Sequence, residues 1–173
     1  MMSWGHAGGV RALYDLWHYG VTRTDDTVSI AMLFSRATSD VIINSYLPFE
    51  GRVDIKCTGD RNVRMRVPGY ASSASLRLEV NRQTIPARPD HGWLKLPRTR
   101  PGDAVVLRFD LPEHNEDAHL GYSTYEVTYR GNTVIVISPR GKVYPLYERS
   151  WARLAPPALA PPVLPKSPEI DSI

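Results

Sequence analysis

Cysteine is all but missing from this chain. One thiol, Cys57, stands among 173 residues, so no internal disulfide can form and a zinc site built from several cysteines of this chain is excluded. Long apolar runs are missing as well. Nothing approaches the roughly 20 consecutive apolar residues that span a bilayer, and the start, MMSWGHAGGVRALYDLW, lacks the positive end and apolar stretch of a signal peptide. No membrane partner is therefore expected, and a reducing cytoplasm is the compartment these absences fit. Charge of one sign is not concentrated either. The net charge is +3, and Arg and Lys stand singly, as in RVDIKC and NVRMRV, which describes solvated strand faces. With no basic stripe and no nucleic-acid motif, nucleic acid is not an expected partner. The phosphate loop, the dinucleotide fingerprint and the G-x-S-x-G elbow are absent too.

What is present is one domain's worth of patterned sequence, 42% hydrophobic and 23% charged, the balance of a globular protein. VRALYDLWHY repeats Val10, Leu13, Leu16 and Trp17 at steps of three and four, which predicts a helix over 10–19 that ends at Gly20. From residue 28 the period becomes two. VSIAMLFS places Val28, Ile30, Met32 and Phe34 on one side; RVDIKC turns Val53, Ile55 and Cys57 inward; NVRMRV turns Val63, Met65 and Val67 inward. SLRLEV, WLKL, AVVLRFDL, TYEVTYR and TVIVIS follow, divided by the turn signals Pro68-Gly69, Asn81-Arg82, His91-Gly92, Pro101-Gly102-Asp103 and Gly131-Asn132. Many short strands so spaced predict a mainly β fold, an antiparallel β-sandwich or jelly roll over 23–153, preceded by one helical segment in 1–22. Proline crowds APPALAPPVLPKSPEIDSI, so 154–173 is expected to be an extended, disordered tail. Cys57 is read as a core thiol.

Candidate chemistry is sparse. His114 and His119 sit with Glu113, Glu116 and Asp117 in PEHNEDAHL, but not at the spacing of a metal motif, and a charged loop between strands accounts for them. No metal site and no catalytic residue are assigned. Trp93 and the tyrosines, Tyr122 among them, offer flat faces on which a sugar ring could stack, although period-two aromatics in a sandwich also serve as core and cross-strand pairs. Glu50, alone between Pro48 and Gly51 in INSYLPFEGRVDI, either hydrogen-bonds a strand corner or points outward to a neighbouring domain. Glu50, Trp93 and Tyr122 are the candidate sugar contacts.

The order of these pieces is informative. VRALYDLWHY, LFSRATSDVIINSYLPFEGRVDIK, VRMRVPGYA, RPGDAVVLRFDLP and TYEVTYRGNTVIVISPRGKVYPLYER resemble, over about residues 8 to 150, the C-terminal part of bacterial proteins related to β-L-arabinofuranosidases, glycoside hydrolase family 127. The SYLPFEGRV corner and the YRGNTVIVISPRG hairpin carry most of the likeness. The resemblance implies that residues 10–19 correspond to the helix closing a catalytic (α/α)6 barrel, and the rest to the sandwich that follows it. It also places the family's cysteine nucleophile and zinc in that barrel. Trp4 and Gly5 stand where a cysteine pair would precede the helix, so neither nucleophile nor zinc is expected here.

The expectation is a non-catalytic sandwich module of a glycoside hydrolase, a truncated or split product without its barrel. A free-standing carbohydrate-binding module, or an interaction protein, are the alternatives. Leu13, Leu16 and Trp17 need cover in any of these. The sandwich itself, a catalytic barrel chain or a second copy of this chain could supply it.

Overall fold

The computed structural model describes residues 4–140 and 149–158. The chain opens with α1 (Trp4–Tyr19), then runs through β1 (Val21–Thr24), β2 (Thr27–Ile30), β3 (Arg36–Ala37), β4 (Val41–Ser45), β5 (Arg52–Cys57) and β6 (Asn62–Arg66). There follow β7 (Arg77–Val80), β8 (Gln83–Ile85), β9 (Trp93–Lys95), β10 (Ala104–Arg108), β11 (Glu113–Leu120), β12 (Ser123–Arg130) and β13 (Thr133–Ser138), and a 3₁₀ turn at Ser150–Arg153. One sheet has the order β1-β2-β6-β9 and a second β3-β4-β5-β10-β7-β8. Their inward residues form a single core, Val28, Ile30, Val63, Met65 and Leu94 with Ile43, Ile55, Leu78, Val105 and Leu107. Each such side chain, fully withdrawn from water, contributes about 1.5–3 kcal/mol. Cys57 is wholly buried in this core, and burial pushes its thiol pKa up, as expected of a structural thiol.

The mainly β sandwich with one helix is therefore as the alternation predicts, and RVDIKC and NVRMRV alternate as read. Three local expectations are corrected. The strand in VSIAMLFS stops at Ile30, because the N–H groups of Ala31 and Met32 turn back to the carbonyl of Gly20 at 2.9 and 3.1 Å; Met32 is left exposed. The charged loop expected at PEHNEDAHL is the strand β11, paired with β12 from Glu113↔Arg130 to Leu120↔Ser123. Its hydrogen bonds go to a neighbour while its polar side chains stay in water, so no alternation marks it, and its charges guard an open sheet edge. The pairing is also not wholly antiparallel, since β2 and β6 run parallel with Val28↔Val63 in register.

The order β11-β12-β13 makes a third sheet beside the sandwich. Two hairpins owe their tightness to backbone of positive φ, Asn81-Arg82 (51° and 67°) and His91-Gly92 (47° and 79°), the turn form that matches strand twist. Ala155–Ala158 have no regular structure, and the rest of the proline-rich tail lies outside the described residues.

Candidate functional site

The corner between β4 and β5 is a set of hydrogen bonds closing on itself. Phe49 and Glu50 N–H groups donate to Tyr46 O at 2.9 and 3.0 Å, and Tyr46 N–H donates to Arg52 O at 3.0 Å. A glycine at such a corner commonly supplies a backbone conformation that other residues avoid. The φ of Gly51 is not in the left-handed region; what matters is proximity, because an added Cβ would lie 1.9 Å from Phe109 O. Phe109 N–H donates to Gly51 O at 2.8 Å, so the corner rests directly on the strand end after β10. Glu50 neither caps the turn with its side chain nor stands free: its Oε1 accepts Arg108 Nη1 at 2.7 Å.

Arg108 belongs to a row set by strand register. It lies directly opposite Arg52 of β5 on one side and Arg77 of β7 on the other. Three like charges across three strands repel, and the protein answers locally. Arg52 forms a two-pronged pair with Asp54 (2.7 and 2.6 Å), which raises its pKa, and its guanidinium lies 4.6 Å over the Tyr46 ring. Arg108 has Glu50. Arg77 is fixed by two bonds from Nη1 to the carbonyls of Ala74 and Leu76, both 2.8 Å, and makes no ion pair among the described residues. Beside this row opens a groove of about 500 Å³ lined by Glu50, Ser72, Ser75, Arg77, Arg108 and Asp110, within the size range of small-ligand sites.

Trp93 and Tyr122 lie elsewhere. Trp93 is on the other sheet, and one ring face is taken by Arg64, 4.6 Å from the centroid and itself held by Ser29 Oγ at 2.8 Å. Tyr122 stands fully exposed at the β11–β12 turn. The three candidate sugar contacts thus sit on three different sheets and do not converge. Arg77, Arg108 and Asp110 were not singled out from sequence. The outward position of Arg108 in AVVLRFD could have been read, but not its two neighbours.

A second assembly ties the third sheet to the corner. Arg153 grips Glu113 through Nε and Nη2 at 3.0 and 2.8 Å, and Arg130 donates to both Glu113 Oε1 (3.2 Å) and Phe49 O (3.3 Å). The Phe49 and Trp151 rings meet at 5.3 Å. Arg153 first, then Arg130, lower the pKa of Glu113. In β11, His114 lies 3.3 Å from Glu116 and stacks on Tyr129, while His119 pairs with Thr124.

On α1, Leu13, Leu16 and Trp17 are 69%, 50% and 45% exposed. Among the described residues, its anchor is at the helix end. Arg36 donates to the carbonyls of Trp17 and His18, and its guanidinium lies 4.1 Å over the Trp17 ring. An apolar groove of about 580 Å³ runs between Ala12, Leu16 and Tyr19 of the helix and Ala31–Met32.

Among solved structures the chain is similar to a GH127 β-L-arabinofuranosidase from Geobacillus stearothermophilus T6, with TM-score 0.58 and 17% identity over 73% of this chain and 22% of that one. A structure described as a glycoside hydrolase gives 0.55 and 20% identity over 72% and 24%. A further GH127 β-arabinofuranosidase gives 0.52 and 18% identity over 67% and 23%. The chain shares its fold with part of a glycoside hydrolase. It spans less than a quarter of the length of these proteins, as a partial GH127-like domain does. No protein-family model matches, and no curated protein matches. The one cysteine is buried in the core, and no three His, Cys, Asp or Glu side chains converge among the described residues. No described helix is long and apolar enough to cross a membrane.

Proposed function

We propose that this chain is the non-catalytic β-sandwich module of a glycoside hydrolase resembling β-L-arabinofuranosidases, the portion that lies outside the catalytic barrel, and that the exposed face of α1 is where that barrel packs. The observation that carries the reading is the partial fold match combined with a helix whose apolar face is bare. A helix anchored at one end by Arg36, with Leu13, Leu16 and Trp17 in water, exposes apolar surface that a catalytic domain would cover.

Hydrolysis by retention needs a nucleophile and an acid–base partner converging on one bond. Glu50 is held by Arg108 at 2.7 Å in an open, polar groove. Purified chain incubated with 4-nitrophenyl arabinofuranosides is expected to release no nitrophenol. Turnover abolished by Glu50→Ala would overturn the reading. A second reading, pairing of two copies through α1, draws on the same exposed face. Light scattering across a concentration series distinguishes it, since a monomer at all concentrations removes it.

A further inference from the structure

We propose that the groove beside the arginine row is a binding site for an acidic sugar residue, a hydroxylated ring bearing a carboxylate such as a uronate. The observation is an imbalance. In the row Arg52–Arg108–Arg77, the first guanidinium has Asp54 and the second has Glu50, while the third has backbone carbonyls only. Two carbonyls orient Arg77 through Nη1 without neutralising it. Its Nε and Nη2 edge has no acceptor among the described residues, and that edge is the fork that takes a carboxylate with two parallel bonds. A bound carboxylate completes the charge pattern that Asp54 and Glu50 begin.

The rest of the groove suits hydroxyl groups. The Asp110 side chain is an acceptor with no partner among the described residues, and its backbone N–H is held by Ser75 Oγ at 3.3 Å. Ser75 Oγ also donates to Ser72 O at 2.9 Å, and Ser72 Oγ accepts Ala74 N–H at 3.3 Å, so this wall is fixed before a ligand arrives. The opposite wall is fixed by the Glu50–Arg108 pair and by the seating of Gly51 on Phe109. Phe109 also lines the groove but is almost fully buried, so the recognition is one of hydrogen bonds and charge, weakened by added salt.

The proposal goes beyond the module reading and does not need it. The test is a titration of isotope-labelled full chain with the methyl glycosides of galacturonate and of galactose, and with inorganic phosphate, followed by amide and arginine Nε resonances. Expected are saturable shifts confined to Gly51, Ser72–Arg77 and Arg108–Asp110 with the uronate, weakened at least tenfold in Arg77→Gln and retained in Trp93→Ala. Arg77→Lys, which keeps the charge and loses the fork, is expected to weaken binding as well. Unchanged dispersion of the other resonances shows that each variant is folded. Equal shifts with galactose, equal shifts with phosphate, undiminished binding in Arg77→Gln, or shifts centred on Trp93 or Tyr122 would each overturn the site. None of these bears on whether the chain hydrolyses arabinofuranosides, so the two readings fail separately.

Discussion

Gly51→Ala is the most direct probe of the corner. An alanine Cβ there would lie 1.9 Å from Phe109 O, 2.9 Å from its carbonyl carbon and 3.1 Å from Cδ2. The obstacle is mostly backbone and cannot swing aside. The corner and the strand end must part by about 1.5 Å to restore ordinary contact. That opening stretches the Phe109 N–H to Gly51 O bond, now 2.8 Å, beyond hydrogen-bonding range. Overpacking of this kind costs about 1–3 kcal/mol and the lost bond about 1 kcal/mol, together about 2–4 kcal/mol. At about 2–4 °C per kcal/mol for a domain this size, the melting temperature should fall by about 10 °C. The control is Gly69→Ala, where an added Cβ meets nothing within 4 Å and φ is not positive. There the change should be neutral, or stabilising by about 0.4–1 kcal/mol. Both are read by thermal unfolding under circular dichroism. A Gly51→Ala melt within a degree or two of wild type would refute the close approach, and with it the fixed wall of the groove.

Two further perturbations follow from other contacts. Glu113 has its pKa lowered in the fold, so the unfolded chain binds more protons as pH falls through the ordinary carboxylate range, and stability is lost as pH drops toward the folded pKa. Glu113→Gln should therefore melt below wild type at pH 7 and lose less on acidification; parallel pH curves for the two proteins would sink this. Removing Arg36 takes away a cation–π contact of about 0.5–1 kcal/mol and a hydrogen bond to a helix-end carbonyl of about 1 kcal/mol. In Arg36→Ala, amide exchange in the last turn of α1 should quicken about tenfold while the β core keeps its protection, and equal protection of α1 in both proteins would count against the anchor.

Where each face of a strand has its own environment, the fold is legible in the residues alone. Val53, Ile55 and Cys57 alternate with Arg52, Asp54 and Lys56 because one side meets the core and the other water. That signal fails for β11, exposed along nearly its whole length, where pairing with β12 rather than burial makes the strand. It fails again for the parallel β2–β6 pair, since local alternation says nothing about which distant strand lies alongside. The corner was found from Pro48 and Gly51, but the physical role of Gly51 depends on Phe109, far along the chain. The arginine row is harder still. Arg52, Arg77 and Arg108 each look like an ordinary outward charge in sequence, and only the registers of three strands bring them side by side.

The shifted carboxylates show what their charges do in the fold. Asp90, Asp103 and Glu113 all have their pKa values moved down, Asp90 first by Lys95, Asp103 first by Asn81 and Glu113 first by Arg153. A general acid in glycoside hydrolysis needs the opposite displacement, toward a proton retained at neutral pH. These carboxylates serve turns and sheet-to-sheet ties instead: Asp103 receives the Arg100 N–H at 2.7 Å, and Glu113 holds Arg130 and Arg153. Asp110 shares its groove with Arg77, which makes no ion pair among the described residues. With the walls around them fixed, these two side chains are the groups that the proposed ligand would meet.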